Sequence, residues 1–94
     1  MGDITIENLA IIVENICGAD PLKVTRARPV VEARVLLVQC LRAKGYTQQR
    51  VAELIGFPRI TIQHYCAVFA DAMKYNNIPG LLQKWERLKD ILDL

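Results

Sequence analysis

Six residues in the stretch 58–64 carry side chains suited to reading the edges of nucleic-acid bases: Pro58, Arg59, Ile60, Thr61, Gln63 and His64. An arginine offers two parallel N–H donors that fit O6 and N7 of guanine, and a glutamine pairs in the same two-pronged way with adenine. Threonine meets a thymine methyl or a phosphate, and a histidine N–H donates to a phosphate. Ile60 either touches thymine methyls or packs inward, and His64 serves equally well as a satisfied structural histidine.

Other chemistry is poorly supplied. The three cysteines, Cys17, Cys40 and Cys66, are odd in number, and no two stand at CxxC spacing. With His64 the only histidine, a structural zinc site of the usual ligand set is not expected. Three reduced, largely buried thiols in a cytoplasmic protein are expected instead. No paired carboxylates fall in a recognisable motif, no Ser/His/Asp set is evident, and neither GxxxxGK[ST] nor GxGxxG occurs. The expectation is a protein that is not an enzyme, with no cofactor and no small-molecule substrate. No stretch approaches the ~20 apolar residues needed to span a bilayer, so no membrane association is expected.

Charge is segregated along the 94 residues although the net is only +2. Residues 1–22 hold four acids and no base. Residues 23–59 hold eight bases (Lys23, Arg26, Arg28, Arg34, Arg42, Lys44, Arg50 and Arg59) against Glu32 and Glu53. Residues 60–94 balance. One basic stretch is the footprint of a face that meets a polyanion, or of a solvated basic face.

The elements that would position these groups are helical from end to end. A first helix is expected over 6–17, capped by Thr5 and stopped by Gly18, with Ile6, Leu9, Ala10 and Val13 on its apolar stripe. Pro21 begins a short turn of helix through Val24. Pro29 suits the first turn of a long second helix reaching Ala43 or Lys44, apolar on most of its circumference and therefore central. Its polar stripe is Arg28, Glu32, Gln39 and Arg42. Arg34 lies off that stripe, so it pairs with an acid or snorkels towards solvent or a ligand. Thr47 caps a short helix over 48–55, another runs from Pro58 or Arg59 to Lys74, and a last amphipathic helix spans 81–92.

Residues 48–67 fit the register of a helix-turn-helix. Ala52 is the small residue where two helices cross, Gly56 starts the turn, and Val51, Ile55, Phe57, Ile62 and Tyr65 are the buried positions. In that frame Pro58, Arg59, Ile60, Thr61, Gln63 and His64 form the exposed start of the second helix, which enters the major groove with its N-terminal residues on base edges. Thr47 and Gln48, at the start of the first helix, are further expected DNA-binding residues. The same geometry also serves as a plain packing corner, so a helical protein–protein interaction module without DNA contact is the alternative.

Taken together, Lys23 to Tyr65 resemble the C-terminal DNA-binding domain of the bacterial chromosomal replication initiator DnaA. The shared features are an upstream helix, the R-x-R of Arg26-Ala27-Arg28, the Ala33-Arg34 pair on a long helix, and Thr61-Ile62-Gln63-His64 at the end of the helix-turn-helix. The resemblance implies that Arg26, with Arg28 beside it, lies in or near the minor groove. It further implies that Arg34 and Arg42 face phosphates, and that Thr61 and His64 make contacts at the start of the recognition helix. The family turn Gly-Arg-Asp-His-Thr-Thr is replaced by Gly56-Phe57-Pro58-Arg59-Ile60-Thr61, which is more like that of an ordinary repressor. The base-reading Asp and His are therefore missing, and the implied module is a reader without the initiator's motor.

The expectation is thus an all-α, compact bundle of about five helices forming one domain over 1–94, with an initiator-like core over 4–75 and a C-terminal amphipathic helix over 80–94. Its expected partner is double-stranded DNA, in transcriptional or replication control. The stripe Leu81, Trp85, Leu88 and Leu92 either folds back on the chain's own core or forms the seam of a homodimer.

Overall fold

A computed structural model describes residues 5–94. Ile4, the first residue of the expected core, lies outside them. Among the described residues there are five helices and no strand: α1 (Ile6–Cys17), α2 (Arg28–Ala43), α3 (Gln48–Ile55), α4 (Arg59–Tyr75) and α5 (Leu81–Leu92).

The helix ends follow from local chemistry. Thr5 Oγ1 accepts the Asn8 N–H at 3.1 Å, and Thr47 Oγ1 accepts that of Arg50 at 3.1 Å, so each satisfies one of the donors a helix start leaves free. Gly18 ends α1 at φ +74, and its N–H closes on the Glu14 carbonyl at 2.7 Å. Asn76 ends α4 in the left-handed region, one residue later than the sequence suggests.

The turn of helix expected from Pro21 to Val24 does not form. Asp20 Oδ1 instead accepts the Leu22 N–H at 2.9 Å, and the Lys23 N–H turns back to the Asp20 carbonyl at 3.2 Å. The chain then runs without helix to α2, with Val24 91% exposed.

Helix α2 is the axis of the fold and packs against the four others. Ala33, Leu36, Leu37, Val38 and Cys40 are wholly buried on it, which is why its sequence is apolar nearly all round. Leu9 and Val13 of α1, and Leu81 and Leu88 of α5, meet it from one side. Val51 of α3, and Ile62 and Tyr65 of α4, meet it from the other. Burial pushes the Cys40 thiol up to about 12 and raises that of Cys17 despite the nearby Lys84.

The stripe offered to a second copy is used within the chain. Leu81 and Leu88 are buried, and Trp85 meets Phe69 of α4 edge-on with ring centroids 5.1 Å apart. Of the α5 residues bordering that stripe, Ile91 remains exposed.

Candidate nucleic-acid interface

Helices α3 and α4 pack across a turn at Gly56-Phe57-Pro58. Gly56 sits at φ +77, and the N–H groups of Gly56 and Phe57 both close on the Ala52 carbonyl, at 2.9 and 3.2 Å. A methyl group at position 56 would meet nothing within 4 Å, so the requirement there is the backbone angle and not space. Val51, Ala52, Ile62 and Tyr65 are buried, while Ile55 and Phe57 are half-buried against the core.

This packing turns one face of α4 outward. Pro58, Arg59, Gln63 and His64 are exposed, Ile60 is 75% exposed, and Thr61 is half-buried at the margin. Positions 59, 60, 63 and 64 are neighbours at helical spacing, and Ile62 and Tyr65 hold the opposite face in the core. Among the described residues Arg59 makes no ion pair and no side-chain hydrogen bond.

Arg42, Thr47 and Gln48 gather at the start of α3. Arg42 is exposed, and its guanidinium donates to the Tyr46 carbonyl at 2.8 Å, which fixes it beside the Thr47 cap. Thr47 is exposed although its hydroxyl oxygen serves as that cap, and Gln48 is half-buried.

The two arginines of the R-x-R segment share one groove, and Arg26 also lines a second. Arg26 lines a groove of about 480 Å³ with Val24, Thr25, Phe57, Thr61 and Tyr65, beside the first turns of α4. Arg28 lies along α2 with its Nε 3.6 Å from Glu32. Arg26, Arg28 and Glu32 edge a second groove of about 320 Å³, floored by Val31, Val35, Val68, Ile78 and Leu81 beyond the middle of α4. Arg28 and Arg42 stand at opposite ends of α2, roughly 21 Å apart along its axis at 1.5 Å per residue. The four α2-region arginines therefore do not all converge at the start of the recognition helix: Arg26 and the buried Arg34 line the groove that holds Thr61, and Arg26 also lines the groove of Arg28.

Arg34 corrects the sequence reading outright. Its accessible surface is 3%, so it is in the interior and not at a phosphate-facing surface. It does not snorkel, and among the described residues it pairs with no acid. Its Nε donates to the Pro21 carbonyl at 3.1 Å, and one terminal nitrogen donates to the Tyr65 hydroxyl at 2.9 Å. The other terminal nitrogen donates to the carbonyls of Lys23 at 2.6 Å and Thr25 at 3.4 Å. The Phe57 ring covers the guanidinium at 4.5 Å from its centroid. A buried cation is tolerable when such acceptors and an aromatic face replace its water. Sequence reasoning also passed over Val24, whose exposed side chain lines the same groove as Arg26. Its available signal is an apolar residue between Lys23 and the R-x-R segment.

No family model matches the chain, and no curated protein or solved structure matches it. Among the described residues there is no group of three or more His, Cys, Asp or Glu able to hold a metal ion, and no helix long and apolar enough to cross a membrane.

Proposed function

We propose that this protein binds double-stranded DNA sequence-selectively, in transcriptional or replication control, with the first turns of α4 in the major groove and Arg26 at the adjoining minor groove. The observation that carries the reading is the face made by Arg59, Ile60, Gln63 and His64. It combines a cation without an acidic partner among the described residues, an exposed isoleucine and an amide, and Ile62 and Tyr65 anchor it from behind. A helix about 10–12 Å across fits a major groove about 12 Å wide. There Arg59 pairs with guanine, Gln63 with adenine, and Ile60 covers a thymine methyl. Thr61 at the margin and Pro58 at the entry complete that contact. Arg42, Thr47 and Gln48 take phosphates where the first helix of the motif crosses the backbone. Arg34, buried, has no place in the contact surface, and Arg28, which shares a groove with Arg26, lies at its edge and is paired with Glu32.

Selection of bound duplexes from a random pool tests the reading directly. The expected result is an enriched short site whose affinity falls with salt at a log–log slope of about −0.9 per phosphate contact. Failure to retain any duplex at low salt would overturn it and favour a helical corner that serves another protein.

A further inference from the structure

We infer that Arg34 is a specificity-positioning residue: from inside the protein it fixes the arm of residues 21–27 against the recognition helix, and thereby sets where Arg26 reaches relative to Arg59 and Gln63. The inference rests on the DNA-binding reading above and goes beyond it, because it assigns the spacing of two groove contacts to a residue that touches no DNA.

The geometry is that of a clamp with three jaws. Arg34 projects from α2, the most buried helix. Towards the arm it donates to the carbonyls of Pro21, Lys23 and Thr25, which two tight turns, closed by Lys23 N–H to Asp20 and Thr25 N–H to Lys23, bring within reach of one guanidinium. Towards α4 it donates to the Tyr65 hydroxyl, and towards the turn its flat face lies on Phe57. Arm, turn and recognition helix therefore converge on one rigid, planar group. Arg26 follows directly on Thr25, whose hydroxyl oxygen also accepts the Ala27 N–H at 3.2 Å, so the backbone on both sides of Arg26 is held. Arg26 lines the groove that holds Thr61 as well as the neighbouring groove of Arg28.

The charge makes the clamp hard to open. Arg34 has no carboxylate partner among the described residues, so its buried cation depends on these neutral acceptors, and an arm that swung away would leave it unsatisfied. A lysine keeps the charge but concentrates its donors on one nitrogen, which cannot serve the arm and Tyr65 together as the guanidinium fork does.

The test uses the full chain and the duplex recovered by selection. Amide hydrogen exchange is followed at Leu22, Lys23, Thr25 and Ala27 in the wild type, Arg34→Lys and Tyr65→Phe, without DNA. Affinity is then measured for Arg26→Ala in each of those three backgrounds at fixed salt. The expected result is faster exchange of the arm relative to α1 in Arg34→Lys. Arg26→Ala should weaken binding about tenfold in the wild type but by no more than about twofold in Arg34→Lys, with the base preference at the Arg59 and Gln63 positions unchanged. Tyr65→Phe removes one jaw while keeping the ring in place. It should shrink the Arg26→Ala effect part of the way, and it decides the matter should Arg34→Lys fail to fold. Unchanged arm exchange, or an Arg26→Ala effect of equal size in all backgrounds, overturns the inference alone. A wild-type chain that retains no duplex overturns the DNA-binding reading and this inference together.

Discussion

The first two turns of α4 and the whole of α5 are both amphipathic, yet they treat their outward residues differently. In α5 the large apolar groups Leu81 and Leu88 are buried, and Trp85 leans on Phe69. One pair of its outer charges is matched within the helix, where Lys89 reaches Glu86 at 3.1 Å. In α4, Ile62 and Tyr65 are buried, but Ile60 remains 75% exposed and Arg59 has no ion pair among the described residues. Ile91 of α5 is also outward at 55%, so the contrast is one of degree, with Ile60 the more exposed of the two isoleucines. One helix therefore completes the core, and the other presents a surface whose composition suits a ligand. Substitutions in each can break or sharpen this contrast.

The largest effect belongs to the packing helix. Leu88 is wholly buried, and Leu88→Ala should cost about 2–5 kcal/mol, read from urea or thermal unfolding. At temperatures where the variant remains folded, its affinity for the selected duplex should equal that of the wild type. Lost binding by a folded variant would place α5 in the contact surface and erase the distinction.

Arg59→Ala is the mirror experiment. It should leave the unfolding midpoint where it was, because no side-chain partner of Arg59 is lost. It should cost about 1–3 kcal/mol in binding to the preferred duplex and relax the choice of base at one position. A fall in stability with no change in base preference would make Arg59 a packing residue and return α4 to the class of α5.

Elements whose ends are set by one side chain are legible in the sequence. Thr5 and Thr47 start α1 and α3, Gly18 and Gly56 stop them, and α5 begins and ends as its apolar spacing indicates. Burial of Val51, Ala52, Ile62 and Tyr65 follows from the same register. What escaped depends on backbone acceptors. Arg34 looked like an exposed or ion-paired cation because sequence spacing advertises side-chain partners, whereas its partners are three main-chain carbonyls and a tyrosine hydroxyl. The missing helical turn at Pro21 has a related cause. Asp20 captures the Leu22 N–H, and the carbonyls of Pro21, Lys23 and Thr25 point to Arg34 instead of entering a helical ladder. That Arg26 shares a groove with Thr61 while Arg28 turns to Glu32 required the path of this loop, which no local pattern encodes.

A smaller effect should separate the phosphate contacts from the base contacts. Arg42→Ala should weaken binding to all duplexes alike and flatten the salt slope by about one unit, without altering the recovered site. The variant also loses the bond to the Tyr46 carbonyl, with an expected stability cost of about 0.5–1.5 kcal/mol. A change in base preference on replacing Arg42 would move it from the backbone to the groove.

The smallest effect is expected at the paired charges of α5. Glu86 and Lys89 are one helical turn apart and both partly exposed, so water and salt screen their attraction and holding two long side chains together offsets much of it. Glu86→Gln should therefore shift stability by no more than about 0.5 kcal/mol. It also removes a negative charge from a protein proposed to approach a polyanion. If α5 lies farther from the duplex than the Debye length, about 10 Å at 0.1 M salt, that removal is screened and affinity stays within about twofold of the wild type. Titration of the Glu86→Gln variant against the selected duplex at two salt concentrations decides the point. Tighter binding that persists at the higher salt would mean that Glu86 stands close to a phosphate, that α5 flanks the DNA, and that its paired charges are part of the contact.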